Sequence, residues 1–194
     1  LSSFTNLRLL SLVTYKTVNE LRFPSSLKRI VLVQRSNCSI ETLSQLNQLE
    51  SLYLYNTRSI LIPLHLLPSS LKNLFILSSS FDPSCISQLP KLNQLHLNWD
   101  RDFTINPLDL LSELPSTITK ITLNITTAYE LPKSFLRVPS QVKHFVFGIR
   151  NSFQSLTGIS LPYTLIELEW FSKFPIEWLP FLPKNLRYLQ VQLE

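Results

Sequence analysis

The chain has 194 residues, enough for one sizeable domain or one continuous repeat array. Apolar residues make up 44% of it and charged residues 16%, which argues against disorder, and no uninterrupted run of 18 apolar residues offers a transmembrane helix. The net charge of +5 is too mild to point to nucleic acid, and only 2 glycines stand against 13 prolines, which argues against Gly-rich phosphate loops and hairpin-rich folds. The chain opens on Leu1 and closes on Glu194 just after a strand pattern. Residues 1–194 are therefore expected to form a single domain within a longer polypeptide.

Taken in chain order, one pattern recurs: apolar-x-x-apolar-x-apolar. It reads Leu7/Leu10/Leu12, Leu27/Ile30/Leu32, Leu49/Leu52/Leu54, Leu71/Leu74/Ile76 and Leu92/Leu95/Leu97. It continues as Ile118/Ile121/Leu123, Val142/Phe145/Phe147, Leu165/Leu168/Trp170 and Leu186/Leu189/Val191. The gaps between starts are 20, 22, 22, 21, 26, 24, 23 and 21 residues, a period that signals stacked repeats. Each repeat predicts one short parallel strand whose three apolar positions point inward. One repeat cannot bury that face alone, so neighbours must stack.

Two further features keep the register. Eleven residues after a start lies another apolar side chain, at Val18, Cys38, Ile60, Phe103, Tyr129, Phe153 and Ile176, with Phe81 one place early in the fourth repeat. These predict a spine closing the core from the far side. Before the strands run Phe23-Pro24-Ser25-Ser26-Leu27, Leu67-Pro68-Ser69-Ser70-Leu71 and Leu114-Pro115-Ser116-Thr117-Ile118, followed by Val138-Pro139, Leu161-Pro162 and Leu182-Pro183. Proline lacks an N–H and holds the preceding residue extended, so it ends one segment and feeds the chain into the next strand. In the longest gap, Asn106 reads as the N-cap and Pro107 as the first residue of a helix over 107–114, and Asp82-Pro83 repeats that logic before Cys85.

The chain resembles the leucine-rich-repeat superfamily over essentially its whole length. The Pro-Ser-Ser-Leu-x-x-Leu form is similar to FNIP-type repeats and to the degenerate repeats behind F-box domains in fungal ubiquitin-ligase adaptors. The resemblance implies an α/β fold: a curved horseshoe of about nine repeats, with a parallel sheet on the concave face and short helices and turns on the convex one. The ninth position, usually Asn or Cys, holds Tyr15, Arg35, Thr57, Ser79, Asp100, Thr126, Arg150, Lys173 and Glu194. The asparagine ladder is missing, so loop backbone must find its hydrogen bonds elsewhere.

Alternation along each strand gives the concave face two ladders. One reads Ser11, Val31, Tyr53, Phe75, His96, Thr122, Val146, Glu169, Gln190, and the other Val13, Val33, Tyr55, Leu77, Asn98, Asn124, Gly148, Phe171, Gln192. Val31, Val33, Tyr53, Tyr55, Phe75 and Leu77 form an apolar patch, which His96, Asn98 and Trp99 extend in a more polar direction. Such a patch marks contact with another protein or cover by a flanking domain of the same polypeptide, ahead of plain strand preference. A basic rim of Arg8, Lys28, Lys72, Lys143 and Arg187, one residue after the starts, suits acidic protein or phosphate, or is a solvated edge.

No catalytic spacing is present: His65, His96 and His144 fall in different repeats, and no metal, cofactor or small-molecule substrate is implied. Cys38 and Cys85 read as buried thiols too far apart to bridge, which fits an intracellular setting, cytoplasmic or nuclear. The expected function is non-catalytic protein recognition, with the F-box-type adaptor implied by the resemblance. Two alternatives are an extracellular domain glycosylated at the sequons of Asn37 or Asn124, and a nucleic-acid-associated scaffold using the basic rim.

Overall fold

A computed structural model of the chain describes residues 3–14, 22–34, 41–56, 67–78, 83–99, 107–126, 134–149 and 156–193. Eleven strands are present among them. Nine form one parallel sheet: β1 (Leu9–Thr14), β2 (Arg29–Gln34), β3 (Ser51–Asn56), β4 (Asn73–Ser78), β5 (Gln94–Trp99), β6 (Lys120–Ile125), β8 (His144–Ile149), β10 (Glu167–Phe174) and β11 (Tyr188–Leu193). They lie side by side in that order, so each repeat contributes one strand. The pattern read from the sequence is also the observed register, with Leu10 opposite Ile30, Ile30 opposite Leu52, Leu52 opposite Leu74 and Leu95 opposite Ile121. The fold is a leucine-rich-repeat solenoid.

The core runs along the inner face of this sheet. Ile30, Leu52, Leu74, Phe145 and Leu168 are wholly inaccessible, as are the repeat starts Leu27, Leu49, Leu71, Leu92, Ile118, Val142 and Leu165. Behind them pack Leu43 and Leu46, Ile86 and Leu89, and Leu108, Leu110 and Leu111. These lie in, or directly after, short 3-10 turns at Glu41–Gln45, Pro83–Gln88 and Leu111–Glu113 and one α-helical turn, α1 (Pro107–Leu110). The expected helix over 107–114 is thus shorter and ends in 3-10 form; its cap Asn106 lies outside the described residues.

Every repeat start closes the same turn. The start residue's N–H donates to the carbonyl three residues earlier: Leu27 to Pro24, Leu71 to Pro68, Ile118 to Pro115, Val142 to Pro139, Leu165 to Pro162 and Leu186 to Pro183, at 3.0–3.2 Å. Leu7, Leu49 and Leu92 do so to Phe4, Leu46 and Leu89 without proline. The next carbonyl then serves two donors, as when Lys28 O accepts from Glu50 and Ser51, which steers each chain into parallel pairing.

The Ser-Ser and Ser-Thr residues of these turns do more than tolerate the bend. Ser26 Oγ donates to Leu7 O at 2.8 Å, Ser70 Oγ to Leu49 O at 2.7 Å, Thr117 Oγ1 to Leu92 O at 2.6 Å and Thr164 Oγ1 to Val142 O at 2.8 Å. Each hydroxyl bonds the first carbonyl of the repeat before it. A hydroxyl ladder at the lead-in turns therefore ties repeat to repeat, where an asparagine ladder would do so at the strand exits. Of the ninth-position residues, only Thr126 and Lys173 fall within the described residues.

Three expectations are corrected in the back and at the end of the solenoid. A second, two-stranded parallel sheet pairs β7 (Ser134–Arg137) with β9 (Leu156–Ser160) on the side away from the main sheet, where only turns and short helices were expected. Ile176 is not a spine residue: it is 53% exposed, and Phe174, two places earlier, is fully buried. The remaining spine positions, Cys38 among them, and the side chains of Phe81 and Cys85 lie outside the described residues. Lys173 sits within β10 rather than in a loop, and it, not Phe171, stands opposite Gln192. The cause is aromatic packing. Phe174 meets Trp170 and Trp178 edge to face at 5.3 and 5.9 Å. To put that ring inside, β10 keeps its alternation two residues longer, and its pairing with β11 skips Phe171 and Ser172.

Candidate functional site

The sheet face opposite the core carries the side chains that alternate with the buried ones. Here three rows cross the strands. Two are the ladders expected from strand alternation; the third, two residues after each start, reads Leu9, Arg29, Ser51, Asn73, Gln94, Lys120, His144, Glu167 and Tyr188. It was missed because attention to the inner triplet leaves the first strand residue unassigned.

The middle row holds the most organised feature. Val31, Tyr53, Phe75 and His96 are register partners on β2, β3, β4 and β5. The Tyr53 and Phe75 rings stack at 4.2 Å and 10°, and Phe75 and His96 follow at 5.5 Å and 27°. On the other side of Tyr53, the Arg29 guanidinium from β2 lies 4.5 Å from the ring centre. Parallel strands about 4.8 Å apart bring like positions to stacking distance, so register alone builds this ladder. Stacked pairs contribute about 0.5–1.5 kcal/mol each and an exposed cation on a ring about 0.5–1 kcal/mol.

The remaining patch residues flank the ladder. Val31, Val33 and Leu77 are half-buried and Tyr55 is exposed. Asn98 continues the outer row; Trp99 ends β5, and its side chain lies outside the described residues. Burial chiefly, and the positive charge of Lys120 secondarily, hold the His96 imidazole below its ordinary range. It is the neutral end of the ladder.

Further along, the outer row opens into a cavity of about 260 Å³ lined by Asn98, Asn124, Ile125, Thr126, Gly148, Ile149 and Phe171. Gly148 makes it possible: a Cβ there would stand 2.8 Å from Asn124 Oδ1. Asn98 Oδ1 is shielded from solvent and has no hydrogen-bond partner among the described residues. Asn124, the acceptor of one sequon, thus faces a cleft within the sheet face; Asn37 lies outside the described residues.

Arg8, Lys28, Lys72, Lys143 and Arg187 are all exposed, but Glu50 occupies the same position between Lys28 and Lys72. Its carboxylate sits 3.9 Å from Lys28 Nζ and 3.4 Å from Lys72 Nζ. The rim is therefore interrupted at repeats two to four, because one residue position alternates in sign there. Exposed pairs of this kind contribute little to stability. His144 and Glu167 form a similar contact at 2.7 Å.

Among the described residues, no group of three His, Cys, Asp or Glu side chains could hold a metal ion. His96 and His144 lie on strands separated by β6, and His65 lies outside the described residues.

No protein-family model matches the sequence, and no curated protein matches it. Among solved structures, the chain is similar to the crystal structure of CroV588, described as a novel circular leucine-rich-repeat protein. The identity is 17% and the TM-score 0.43, over 95% of this chain and 33% of that one. The chain thus spans about a third of that protein's length.

Proposed function

We propose that this solenoid recognises another protein through its open sheet face, with the Arg29–Tyr53–Phe75–His96 ladder as the anchor. The observation that carries the reading is the stack itself. Large rings locked by their neighbours form a rigid apolar ridge, and little side-chain entropy remains to be lost on binding. Val31, Val33, Tyr55 and Leu77 widen the ridge, and Asn98 and the cavity beyond it supply polar contacts.

The test is selection from a random-peptide display library on the wild-type domain and on the Tyr53→Ser/Phe75→Ser variant. Peptides enriched on the first and not retained by the second support the reading. Retention by both, with the variant's fold intact by circular dichroism, refutes it.

The finer reading, a substrate-recognition part of an F-box-type adaptor, rests on the resemblance of the Pro-Ser-Ser-Leu lead-ins to the repeats behind F-box domains. It requires that the full polypeptide direct ubiquitin transfer onto the captured protein. An intracellular setting goes with it. Among the described residues no helix is long and apolar enough to cross a membrane. A glycan on Asn124 would fill the cleft beside Gly148, which speaks against the glycosylated alternative.

A further inference from the structure

The two central rings of the ladder, Tyr53 and Phe75, offer only their edges. Tyr53 has Phe75 against one face and Arg29 on the side of β2; Phe75 has Tyr53 and His96 on either side. A nucleic-acid base needs a free ring face to stack upon, and this ladder leaves none at its two central rings. Ring edges carry positive potential and attract carbonyl and carboxylate oxygens.

Charge on the same side of the face has the same sign. The two rows beside the ladder, one and two residues after each start, hold Arg8, Lys28, Arg29, Lys72, Lys120, Lys143 and Arg187 against Glu50 and Glu167. Glu50 is engaged by Lys28 and Lys72, and Glu167 by His144. Arg8, Arg29, Lys120, Lys143 and Arg187 have no carboxylate partner among the described residues. Row separation along a strand is about 7 Å, so one extended segment can touch the ladder and this strip together.

We infer that the partner presents an acidic segment in extended form, running across the strands, with apolar side chains on the ring edges and carboxylates on Lys120, Lys143 and their neighbours. This deepens the proposed recognition role and rests on it. Nine strands span about 40 Å, the reach of about 12 extended residues.

The test is fluorescence anisotropy with labelled probes of about 12 residues: a peptide alternating Glu and Leu, its Lys and Leu counterpart, and an oligothymidylate of similar length. The acidic peptide should bind saturably, more weakly as salt rises. Its affinity should fall tenfold or more with Lys120→Glu/Lys143→Glu, fall in the same direction with Lys120→Gln/Lys143→Gln, and hold with Arg137→Glu in the back sheet. Equal binding of the basic peptide, failure of the acidic one to bind, or indifference to both lysine pairs overturns the inference. Tighter binding of the oligothymidylate, lost with the same lysines, overturns it in favour of nucleic acid. Acidic-peptide binding that ignores Tyr53→Ser/Phe75→Ser would leave the acidic partner standing and remove the ladder as anchor. Display peptides that need the ladder but carry no acidic excess would do the reverse.

Discussion

Phe174→Ala paired with Ile176→Ala separates the observed core from the one the repeat spacing suggests. Phe174 is fully buried and held edge-on by Trp170 and Trp178, while Ile176 is 53% exposed. Truncating a buried Phe costs about 3–5 kcal/mol, from lost transfer energy and the cavity left behind. Truncating an exposed side chain stays within about 0.5 kcal/mol. With a urea dependence of about 2 kcal/mol/M, the first change should lower the midpoint by about 2 M and the second hardly at all. Trp170 and Trp178 report this region directly, so urea titration followed by tryptophan fluorescence is the suitable assay. In a repeat array the loss can appear as early melting of the last repeats, before the rest. A larger effect from Ile176→Ala than from Phe174→Ala would refute the shifted spine.

Other consequences are as direct. Thr117→Val removes the hydroxyl bonded to Leu92 O and should cost about 1–2 kcal/mol in denaturant titration, while Ser116→Ala in the same turn costs almost nothing. Lys91→Ser places a hydroxyl at the matching position below Leu71 O and should raise the melting temperature; Lys91→Ala should not. Gly148→Val brings a side chain onto Asn124 Oδ1 and should destabilise by about 1–3 kcal/mol, with part of the loss recovered when Asn124→Ala is added. The folded His96 imidazole is held below its ordinary 6.5 by burial and then Lys120. The unfolded chain therefore binds a proton near that pH before the folded chain does. Its contribution is complete above that pH and declines as pH falls below it. The loss of melting temperature between about pH 7 and pH 5 should be smaller in His96→Asn; an equal loss would show that His96 is not the group responsible.

The repeat was legible because one constraint, burial of three residues per strand, writes itself into every turn of the solenoid. All nine strands begin two residues after the expected starts, and their register follows from the same count. The back sheet was not legible. In Ser134–Arg137 the apolar residues Phe135 and Leu136 are adjacent, one half exposed and the other buried, so the sequence shows no apolar–polar alternation there. Its partner strand accommodates the Phe135 ring through Gly158, where a Cβ would come within 2.7 Å of Phe135 Cε2. Both glycines of the chain thus mark close approach between neighbouring strands. The hydroxyl ladder was half visible: the Pro-Ser-Ser and Pro-Ser-Thr runs announce proline's geometry, but the carbonyl each hydroxyl serves lies a whole repeat away in sequence.

For the candidate site, the sequence indicated which residues share a row but not what their sharing does. Tyr53, Phe75 and His96 could have been separate exposed groups, each with two ring faces to offer. Parallel register at about 4.8 Å removes that freedom, since neighbouring rings at like positions either stack or clash. Once stacked, they stop being individual binding groups and become one ridge with positive edges, and Arg29 closes the end of the stack nearer β1. The same stacking that stabilises the ladder therefore narrows its partners. It disfavours bases that would intercalate and favours a segment bringing apolar groups to the ring edges and carboxylates to the basic residues beside them. The strip beside it, where seven Lys and Arg stand against Glu50 and Glu167 among neutral positions, selects in the same direction. Ring geometry and charge are independent properties of these residues, and their agreement is what gives the acidic-segment inference its force.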